Sequence, residues 1–326
     1  MRAPTRTTLS ALPTILAAAL VLTACGSGTE AESRVAAAPS ADANRLPTGG
    51  SGEVVVASAN FPENMILAEV YAQALDAAGY DASVTPLTTR PVIIPQVTDG
   101  AIDVEPDYVG ALTEYLNKEA NGPDSPVIAN GDLAQTIAKA RELGTPKGLT
   151  ILDASPAADQ NTFAVTKEFA DKYGLKTLSD LKEVPEPLTM GGSAECQSYP
   201  LCKPGVEQVY GLSFRYQQTD IGGPLAVAAL KRGTVQVNQY LSSDGSAVTN
   251  GFVVLEDDKK LAPVDNVIPV VGKEYADDAL LKDVLSRVSA AMTTDDLLNL
   301  NASLSVDRKL PAQAATDFLK AKGLVA

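Results

Sequence analysis

One spacing occurs twice in this chain and limits its possible folds more than any other feature of the sequence. In residues 91–100 and again in residues 224–233, a proline stands where a helix would begin, apolar residues follow, and a glycine ends the segment. A short apolar run comes next, at residues 101–104 and at Val235 and Val237, and it predicts a buried strand. The matched spacing favours an internal repeat, and therefore two similar α/β lobes with a cleft between them.

Composition excludes several classes of function. With 326 residues, 45% of them apolar and 20% charged, the chain is long enough for one large or two medium domains. It has no histidine, which excludes Ser-His and Cys-His catalysis and histidine-rich zinc sites. A net charge of −14 argues against nucleic acid as a partner. The sequence has no phosphate-binding glycine loop, and neither a cofactor nor a metal is predicted.

The N-terminal segment is predicted to serve export and attachment. Residues 1–24 have arginines before an apolar run that is too short and too early to span a membrane, as in a signal peptide. The run ends in L-T-A-C, which resembles a bacterial lipobox and predicts lipid on Cys25. An ordinary secretory peptide with an incidental cysteine is the alternative. Residues 25–52 lack periodicity and predict a flexible tether, so the folded part is expected outside the cytoplasm, anchored to the cell membrane.

The remaining sequence alternates between strand and helix patterns. The first lobe is predicted to comprise residues 53–155 and 266–326, and the second lobe residues 156–265. Residues 252–255 and 267–271 are predicted as strands that return to the first lobe. Because the chain crosses twice between the lobes, a hinge is expected.

Ligands of open α/β sheets bind beyond the carboxyl ends of the parallel strands. Residues 58–61, 88–90 and 104–108 follow or end such strands and are expected to converge. Within them, Arg90 stands at a helix N-terminus, where it opposes the helix dipole, so it is a candidate partner for an anionic ligand group. Asn60 either donates to the ligand or braces its loop.

Two further cysteines are expected to be oxidised in an exported protein. Cys196 and Cys202 are separated by five residues, with prolines nearby, and predict a small-loop disulfide. Such a loop contributes about 2 kcal/mol to stability. Two free thiols are the alternative, which exported proteins rarely keep.

From residue 54 to residue 326 the sequence resembles the osmoprotectant-binding proteins of ABC importers. The motifs that carry the resemblance are S-A-N-F-P-E-N, T-R-P-V, G-A-I-D-V-E-P-D-Y-V-G, N-T-F-A-V, Y-G-L, S-S-D-G, L-E-D-D-K, L-N-A and A-A-T-D-F-L-K-A-K-G-L, in this order. The resemblance implies a type II periplasmic-binding-protein fold whose lobes close on glycine betaine, choline or a related quaternary amine. It implies a solute-binding protein that serves an ABC permease in the membrane, not an enzyme. A monomer is expected.

The resemblance also implies where the ligand is held. Aromatic faces suit a trimethylammonium group, which has no N–H to donate. The family's cage positions fall on Tyr108, Phe163, Leu241 and Asp265, and the resemblance implies that Tyr108 and Phe163 face one another across the lobes. Since Leu241 and Asp265 are not aromatic, Asp265 is expected to attract a cation by its charge instead. Tyr108 as a cap of the sheet and Phe163 as a core residue are the structural alternatives.

The positions of the family's clamp for a ligand carboxylate fall on Ala59 and Tyr199, and neither residue is basic. Tyr199, or Tyr240 next to Leu241 in the sequence, could rebuild part of the cage. Asn161, at the start of a predicted strand, is a further candidate at the cleft mouth, either as a donor to the ligand or as a loop brace.

Other functions remain open at this point. A different small polar solute would use the same transport role. An extracytoplasmic hydrolase without histidine needs Ser-Lys or paired carboxylates, and Glu105 and Asp107 share one face of a strand. A structural lipoprotein or adhesin would bind no small molecule saturably.

Overall fold

The computed structural model describes residues 44–199 and 201–326, and the structural statements below refer to these residues. The predicted signal peptide and Cys25 lie outside them. In this part of the chain, no helix is long and apolar enough to cross a membrane.

Strands and helices alternate along the chain. The strands are β1 (Glu53–Ser58), β2 (Asp81–Pro86), β3 (Val104–Tyr108), β4 (Thr150–Ile151), β5 (Asn161–Thr166), β6 (Leu188–Gly192), β7 (Phe214–Gln218), β8 (Val237–Leu241), β9 (Phe252–Leu255) and β10 (Val267–Val271). The helices are α1 (Pro62–Ala78), α2 (Arg90–Asp99), α3 (Val109–Asn121), α4 (Leu133–Gly144), α5 (Lys167–Tyr173), α6 (Lys203–Tyr210), α7 (Pro224–Lys231), α8 (Ser246–Thr249), α9 (Ala279–Ala291), α10 (Thr294–Ser305) and α11 (Pro311–Ala321).

The strands form two five-stranded sheets of the same design. The first sheet has the order β2-β1-β3-β10-β4, and the second has the order β7-β6-β8-β5-β9. In each sheet three neighbouring strands are parallel, and the fourth runs antiparallel to both of its neighbours. We call the first sheet with its helices the first lobe and the second sheet with its helices the second lobe. The shared strand order supports the internal repeat.

The repeated strands begin later than the sequence predicts, at Val104 and Val237. In the first copy the Ala101 N–H still donates to the Gln96 carbonyl (2.9 Å), so this residue closes α2 instead of joining the sheet. Both strands have five residues and cover corresponding positions of the repeat. The predicted register is therefore present, although the predicted strand bounds are wrong.

Strand β9 corrects one predicted connection. Residues 252–255 are expected to return to the first lobe, but β9 pairs antiparallel with β5 in the second sheet. Leu255 is buried in the core of the second lobe, and the Phe252 ring packs edge-on against Tyr240 with centroids 6.4 Å apart. Strand β10 does return to the first lobe, as predicted. It lies between β3 and β4 in the first sheet, and all five of its residues are buried.

The end of the predicted tether is packed against the first lobe. Leu46 is buried in its core, and the Leu46 N–H donates to the Leu324 carbonyl (3.0 Å). The Gly50 N–H donates to the Ala78 carbonyl (2.9 Å). A Cβ at Gly50 would lie 2.3 Å from the Tyr80 ring, so this close approach requires glycine. The packed part of the described chain thus includes Leu46, which precedes the predicted start of the first lobe.

Two segments connect the lobes and lie side by side. Ala158 in one and Asn266 in the other form an isolated antiparallel bridge. Beside it, the Asp159 N–H donates to the Asp265 carbonyl (3.0 Å). The two crossings are therefore joined by backbone hydrogen bonds where the chain passes between the lobes.

A candidate ligand site between the lobes

The carboxyl ends of the first three parallel strands meet around a small cavity, as expected for an open α/β sheet. This cavity, the Arg90 pocket, has a volume of about 220 Å³. It is lined by Ala59, Phe61, Asn64, Thr88, Thr89, Arg90, Glu105, Asp107 and Tyr108. Two predicted site residues, Arg90 and Tyr108, thus share one cavity.

Phe61 and Tyr108 form an aromatic wall at the Arg90 pocket. Their ring centroids are 6.1 Å apart and their planes are inclined by 31°. Phe61 is 40% exposed, whereas Tyr108 is buried and its hydroxyl donates to Glu63 Oε1 (2.6 Å). Tyr108 was predicted as a site residue, whereas Phe61 was predicted only as part of the converging segment 58–61, beyond the carboxyl end of β1.

A larger cavity lies between the lobes and shares Phe61 with the Arg90 pocket. This central cavity has a volume of about 870 Å³. The first lobe contributes Phe61, Pro62, Glu63, Met65, Asn301, Leu304, Ser305, Arg308, Lys309 and Pro311, and the second lobe contributes Ile221, Leu241, Ser243 and Asp244, with Asp159 from a crossing. A solute in the central cavity can therefore contact both lobes.

A third cavity, the Asp265 pocket, shares Asp159 and Leu241 with the central cavity. It has a volume of about 290 Å³. Its lining includes four predicted site residues, Asn161, Tyr199, Leu241 and Asp265, together with Glu114. The structure thus brings these four residues to one place at the crossings.

Asp265 carries an unusual carboxyl group. Its Oδ1 accepts from the N–H groups of Gly110 (2.9 Å) and Ala111 (3.0 Å) at the start of α3. Burial raises the pKa of Asp265 to about 7, although the Ala111 N–H and the Arg90 charge act to lower it. This side chain is therefore partly neutral at neutral pH, and a nearby cation would favour its ionised form.

The pKa of Asp159 is also raised, mainly by burial. Burial and the charge of Glu63 raise its pKa to about 6, against the hydrogen bond from Ser243. The Ser243 hydroxyl donates to Asp159 Oδ1 (2.6 Å). The central cavity is thus lined by three acidic residues, Glu63, Asp159 and Asp244, and by two basic residues, Arg308 and Lys309, of which Lys309 is paired with Asp317.

A disulfide constrains the loop that carries Tyr199. Cys196 and Cys202 are bonded to each other, and the N–H of Tyr199, which lies between them in the sequence, donates to the carbonyl of Glu195, just before the loop (2.8 Å). The Tyr199 side chain is 46% exposed and lines the Asp265 pocket. Among the described residues that line this pocket, Tyr199 is the one aromatic residue.

Two predicted aromatic site residues lie elsewhere. Phe163 is buried in the core of the second lobe, beside Leu255 on the neighbouring strand, and it lines a separate cavity of about 420 Å³. Tyr240 is fully buried on the face of β8 opposite to Leu241. The expected contact between Phe163 and Tyr108 across the lobes is absent from the described residues.

Asn60 is exposed, and it is its backbone N–H that donates to the Thr88 carbonyl (3.1 Å), a bond that does not depend on the side chain. The buried Asn64 does the work expected of a polar residue at this strand end. Its Oδ1 accepts from the Ala59 N–H (2.6 Å) and its Nδ2 donates to the Pro106 carbonyl (2.7 Å). Asn64 thereby fixes the loop after β1 to strand β3.

The two carboxylates considered for hydrolysis have different environments. Arg90 Nε donates to both Asp107 oxygens (3.0 and 2.9 Å), and Arg90 Nη2 donates to Asp107 Oδ1 (2.6 Å). Glu105 is 2% exposed, and burial, together with the Asp107 charge, raises its pKa well above the ordinary value. Asp107 is thus held in an ion pair, while Glu105 favours its neutral form.

One side chain connects the lobes across the central cavity. Asn301 Nδ2 donates to Glu63 Oε2 (2.5 Å) in the first lobe and to the Ser243 carbonyl (3.0 Å) in the second. Because Glu63 also accepts from Tyr108, the contact links the aromatic wall to the second lobe. Asn301 belongs to the L-N-A motif of the resemblance, but it was not predicted as a site residue, and it lies far from Glu63 along the chain.

Residues 52–321 match the family described as the substrate binding domain of the ABC-type glycine betaine transport system. The chain belongs to this family. As a member, it is an extracytoplasmic solute-binding protein that works with an ABC permease, and the resemblance found in the sequence is confirmed.

Individual relatives agree with the family. The glycine betaine-binding protein YehZ of Escherichia coli is 27% identical over 293 residues, which cover 85% of this chain and 93% of that protein. A glycine-betaine-binding protein of Pseudomonas aeruginosa is 28% identical over 306 residues, covering 87% of this chain and 90% of its own. The apo structure of Escherichia coli YehZ has a TM-score of 0.70 at 26% identity, covering 83% of this chain and 99% of that chain. The predicted two-lobed periplasmic-binding fold is confirmed.

Proposed function

We propose that this protein captures a small quaternary amine, such as glycine betaine or choline, between its lobes and delivers it to an ABC import permease. The observation that carries the proposal is the aromatic wall of Phe61 and Tyr108. It borders a cavity that both lobes line and that contains the acidic residues Glu63, Asp159 and Asp244. The names of the Escherichia coli and Pseudomonas aeruginosa relatives point to the same class of solute.

The chemistry of a quaternary ammonium group fits this environment. The group cannot donate an N–H hydrogen bond, so aromatic faces and carboxylate charges are its natural partners. Each aromatic face contributes about 0.5 to 2 kcal/mol. Carboxylates that need not contact the cation directly add a longer-range attraction.

Calorimetric titration with glycine betaine, choline, carnitine, proline and 3,3-dimethylbutan-1-ol tests the proposal. The last compound has the shape of choline without its charge. We expect saturable binding of at least one quaternary amine, and binding of the neutral compound at least about tenfold weaker than that of choline. Equal affinity for choline and its neutral analogue contradicts cation capture, and binding of proline alone indicates a different polar solute.

A matched pair of variants locates the binding. Phe61→Ala removes the exposed half of the aromatic wall and should weaken the quaternary amine by about tenfold, or about 1.4 kcal/mol. Tyr173→Ala is the control, because Tyr173 lies on α5 and packs against Phe169 in the second lobe. A loss of affinity of the same size in both variants argues against the wall.

We also propose that the protein is held at the membrane by lipid on Cys25, which the L-T-A-C sequence motivates. Cys25→Ser should move the protein from the membrane fraction to the soluble fraction without changing its solute affinity. Retention of the variant in the membrane fraction would overturn the lipid attachment, and it would leave the solute assignment unaffected.

A further inference from the structure

The central cavity is much larger than the solutes of the proposed function. Glycine betaine and choline have only a handful of non-hydrogen atoms, whereas the cavity has a volume of about 870 Å³, within the range that accommodates drug-sized ligands. The Arg90 pocket and the Asp265 pocket, at about 220 and 290 Å³, are each closer to the size of such a solute. A quaternary ammonium group at the aromatic wall therefore leaves much of the central cavity to the rest of the ligand.

Part of the cavity lining is aliphatic, and we call this part the Met65 surface. It consists of Met65, Leu304 and Pro311 from the first lobe and Ile221 from the second. Met65 is 36% exposed and Ile221 is 37% exposed. Exposed apolar side chains that are grouped in a cavity, rather than scattered singly over a surface, mark a place where an apolar group binds.

The Met65 surface continues directly from the aromatic wall. Met65 follows Phe61 by four residues, and its N–H donates to the Phe61 carbonyl (3.1 Å) at the start of α1. Residues four apart are neighbours along a helix, and both of these side chains line the central cavity. A ligand whose ammonium group contacts Phe61 thus has Met65 within reach of its other end.

Leu304 joins this surface beside the contact that links the lobes. It lies three residues after Asn301 on α10, and therefore on the same side of that helix. Asn301 donates to Glu63 (2.5 Å), which lies between Phe61 and Met65 in the sequence. Leu304 is therefore directed toward the start of α1, where it lines the same cavity.

On the second lobe, Ile221 lies between two residues that hydrogen bonds hold in place. Asp220 Oδ1 accepts from the Ala226 N–H (2.7 Å) in the first turn of α7. On the other side, the Gly222 carbonyl accepts from the Ser246 hydroxyl (2.7 Å). A ligand that contacts Ile221 therefore does not have to order this segment, which lowers the cost of binding.

The chemistry of the Met65 surface suits a flexible alkyl or acyl chain. Methionine is unbranched and polarisable, so Met65 can adapt to chains of different shape. Each methylene group that such a chain buries adds to the affinity through the hydrophobic effect. A chain attached to a quaternary ammonium group can reach this surface while the ammonium group stays at the aromatic wall.

We propose that the central cavity binds amphiphilic quaternary amines, such as the choline esters of butyric and hexanoic acid, with the ammonium group at the aromatic wall and the acyl chain on the Met65 surface. This inference rests on the proposed function and makes its substrate class more specific. A quaternary amine with an apolar chain then binds more tightly than one without.

Titration calorimetry with choline, acetylcholine, butyrylcholine and hexanoylcholine tests the proposal. From acetylcholine to hexanoylcholine we expect the affinity to increase by about twofold or more for each added methylene group. 3,3-Dimethylbutyl butyrate, which has the shape of butyrylcholine without its charge, should bind at least about tenfold more weakly than butyrylcholine. An affinity that stays constant or falls along the series, or equal binding of butyrylcholine and its neutral analogue, overturns the proposal. If choline alone binds, the proposed function survives without this inference, and if no quaternary amine binds, the proposed function itself fails.

Two variants, one in each lobe, locate the acyl chain. Met65→Ala and Ile221→Ala change exposed side chains, so the fold should remain intact. Each variant should weaken hexanoylcholine by about three- to tenfold and choline by less than about twofold. Val248→Ala is the control, because Val248 is 65% exposed on α8 and is not among the described residues that line the central cavity. Equal weakening of hexanoylcholine and choline overturns the proposal, since the Met65 surface then stabilises closure of the lobes instead of holding the chain.

Discussion

Two single residues, Asp265 and Asp159, make the charge between the lobes depend on pH. Both line the Asp265 pocket, and Asp159 also lines the central cavity. Their pKa values, about 7 and about 6, lie above the ordinary value of an aspartate chiefly because both side chains are buried. Each carboxyl is therefore neutral in acid and becomes charged as the pH rises through its pKa. A cation in the cleft interacts favourably with the charged form alone, so binding and proton release are coupled.

The affinity for choline should accordingly increase from pH 5 to pH 8, by about tenfold, as the two carboxyls ionise. Choline is the suitable probe because its own charge is constant over this range. Asp265→Asn should reduce the increase, since the amide oxygen can still accept from Gly110 and Ala111 but carries no charge. Titration calorimetry at each pH measures the effect. If the variant and the unmodified protein have the same pH profile, the charge of Asp265 does not contribute to binding of the cation.

Leu241 and Tyr240 were both predicted as site residues, but neighbouring residues of a strand point to opposite faces of the sheet. Leu241 lines the cleft, while the adjacent Tyr240 is buried on the opposite face of β8. Both residues are apolar, so the pattern did not indicate which face is which. Phe163 was equally ambiguous, because an aromatic residue in an apolar strand fits either a core or a cage.

At the scale of secondary structure, the loop between Cys196 and Cys202 connects stability with binding. The disulfide closes a short loop in which Tyr199 reaches the Asp265 pocket. Loop closure by a disulfide limits the unfolded chain, and it also holds a loop residue near its native position.

Replacing both cysteines by serine should lower the free energy of unfolding by about 2 kcal/mol, measured by urea denaturation under oxidising conditions. Ligand affinity should fall as well, by about as much as in Tyr199→Ala. In the triple variant the two losses of affinity should not add, because they act through the same side chain. Full additivity would mean that the disulfide supports binding by another route.

The elements around the Arg90 pocket were the most predictable part of the site. Parallel strands place their carboxyl ends at one edge, so Ala59, Arg90 and Tyr108 could be expected together from the βαβ pattern alone. The partner of β9 was not predictable in this way. It pairs with β5 and packs Phe252 against Tyr240 of β8, and these are contacts between distant segments that the local pattern does not contain.

For the whole molecule, the two crossings and Asn301 suggest how closure is controlled. The crossings are joined at Ala158 and Asn266, and Asn301 links Glu63 to Ser243 across the cleft. A ligand can favour a closed state only through contacts that the open state lacks. The contacts of Asn301 depend on tertiary structure, so its place in the L-N-A motif did not indicate a link between the lobes.

A saturating quaternary amine should therefore reduce the radius of gyration in solution scattering, and the same data should give the mass of a monomer. Asn301→Ala removes the link between the lobes and should speed ligand dissociation by about three- to tenfold, with a smaller effect on association. Asn121→Ala is the control, because Asn121 bonds to Asn117 on α3. An unchanged radius of gyration would contradict closure, and unchanged dissociation would remove Asn301 from it.

A crystal structure of the protein with bound glycine betaine tests most directly whether the solute is captured between the lobes at the aromatic wall. We predict that the ligand nitrogen lies within about 6 Å of the ring centroids of Phe61 and Tyr108, and that both lobes contact the ligand. Capture at the aromatic wall is contradicted if the ligand occupies the cavity beside Phe163, and capture between the lobes is contradicted if the ligand contacts one lobe alone.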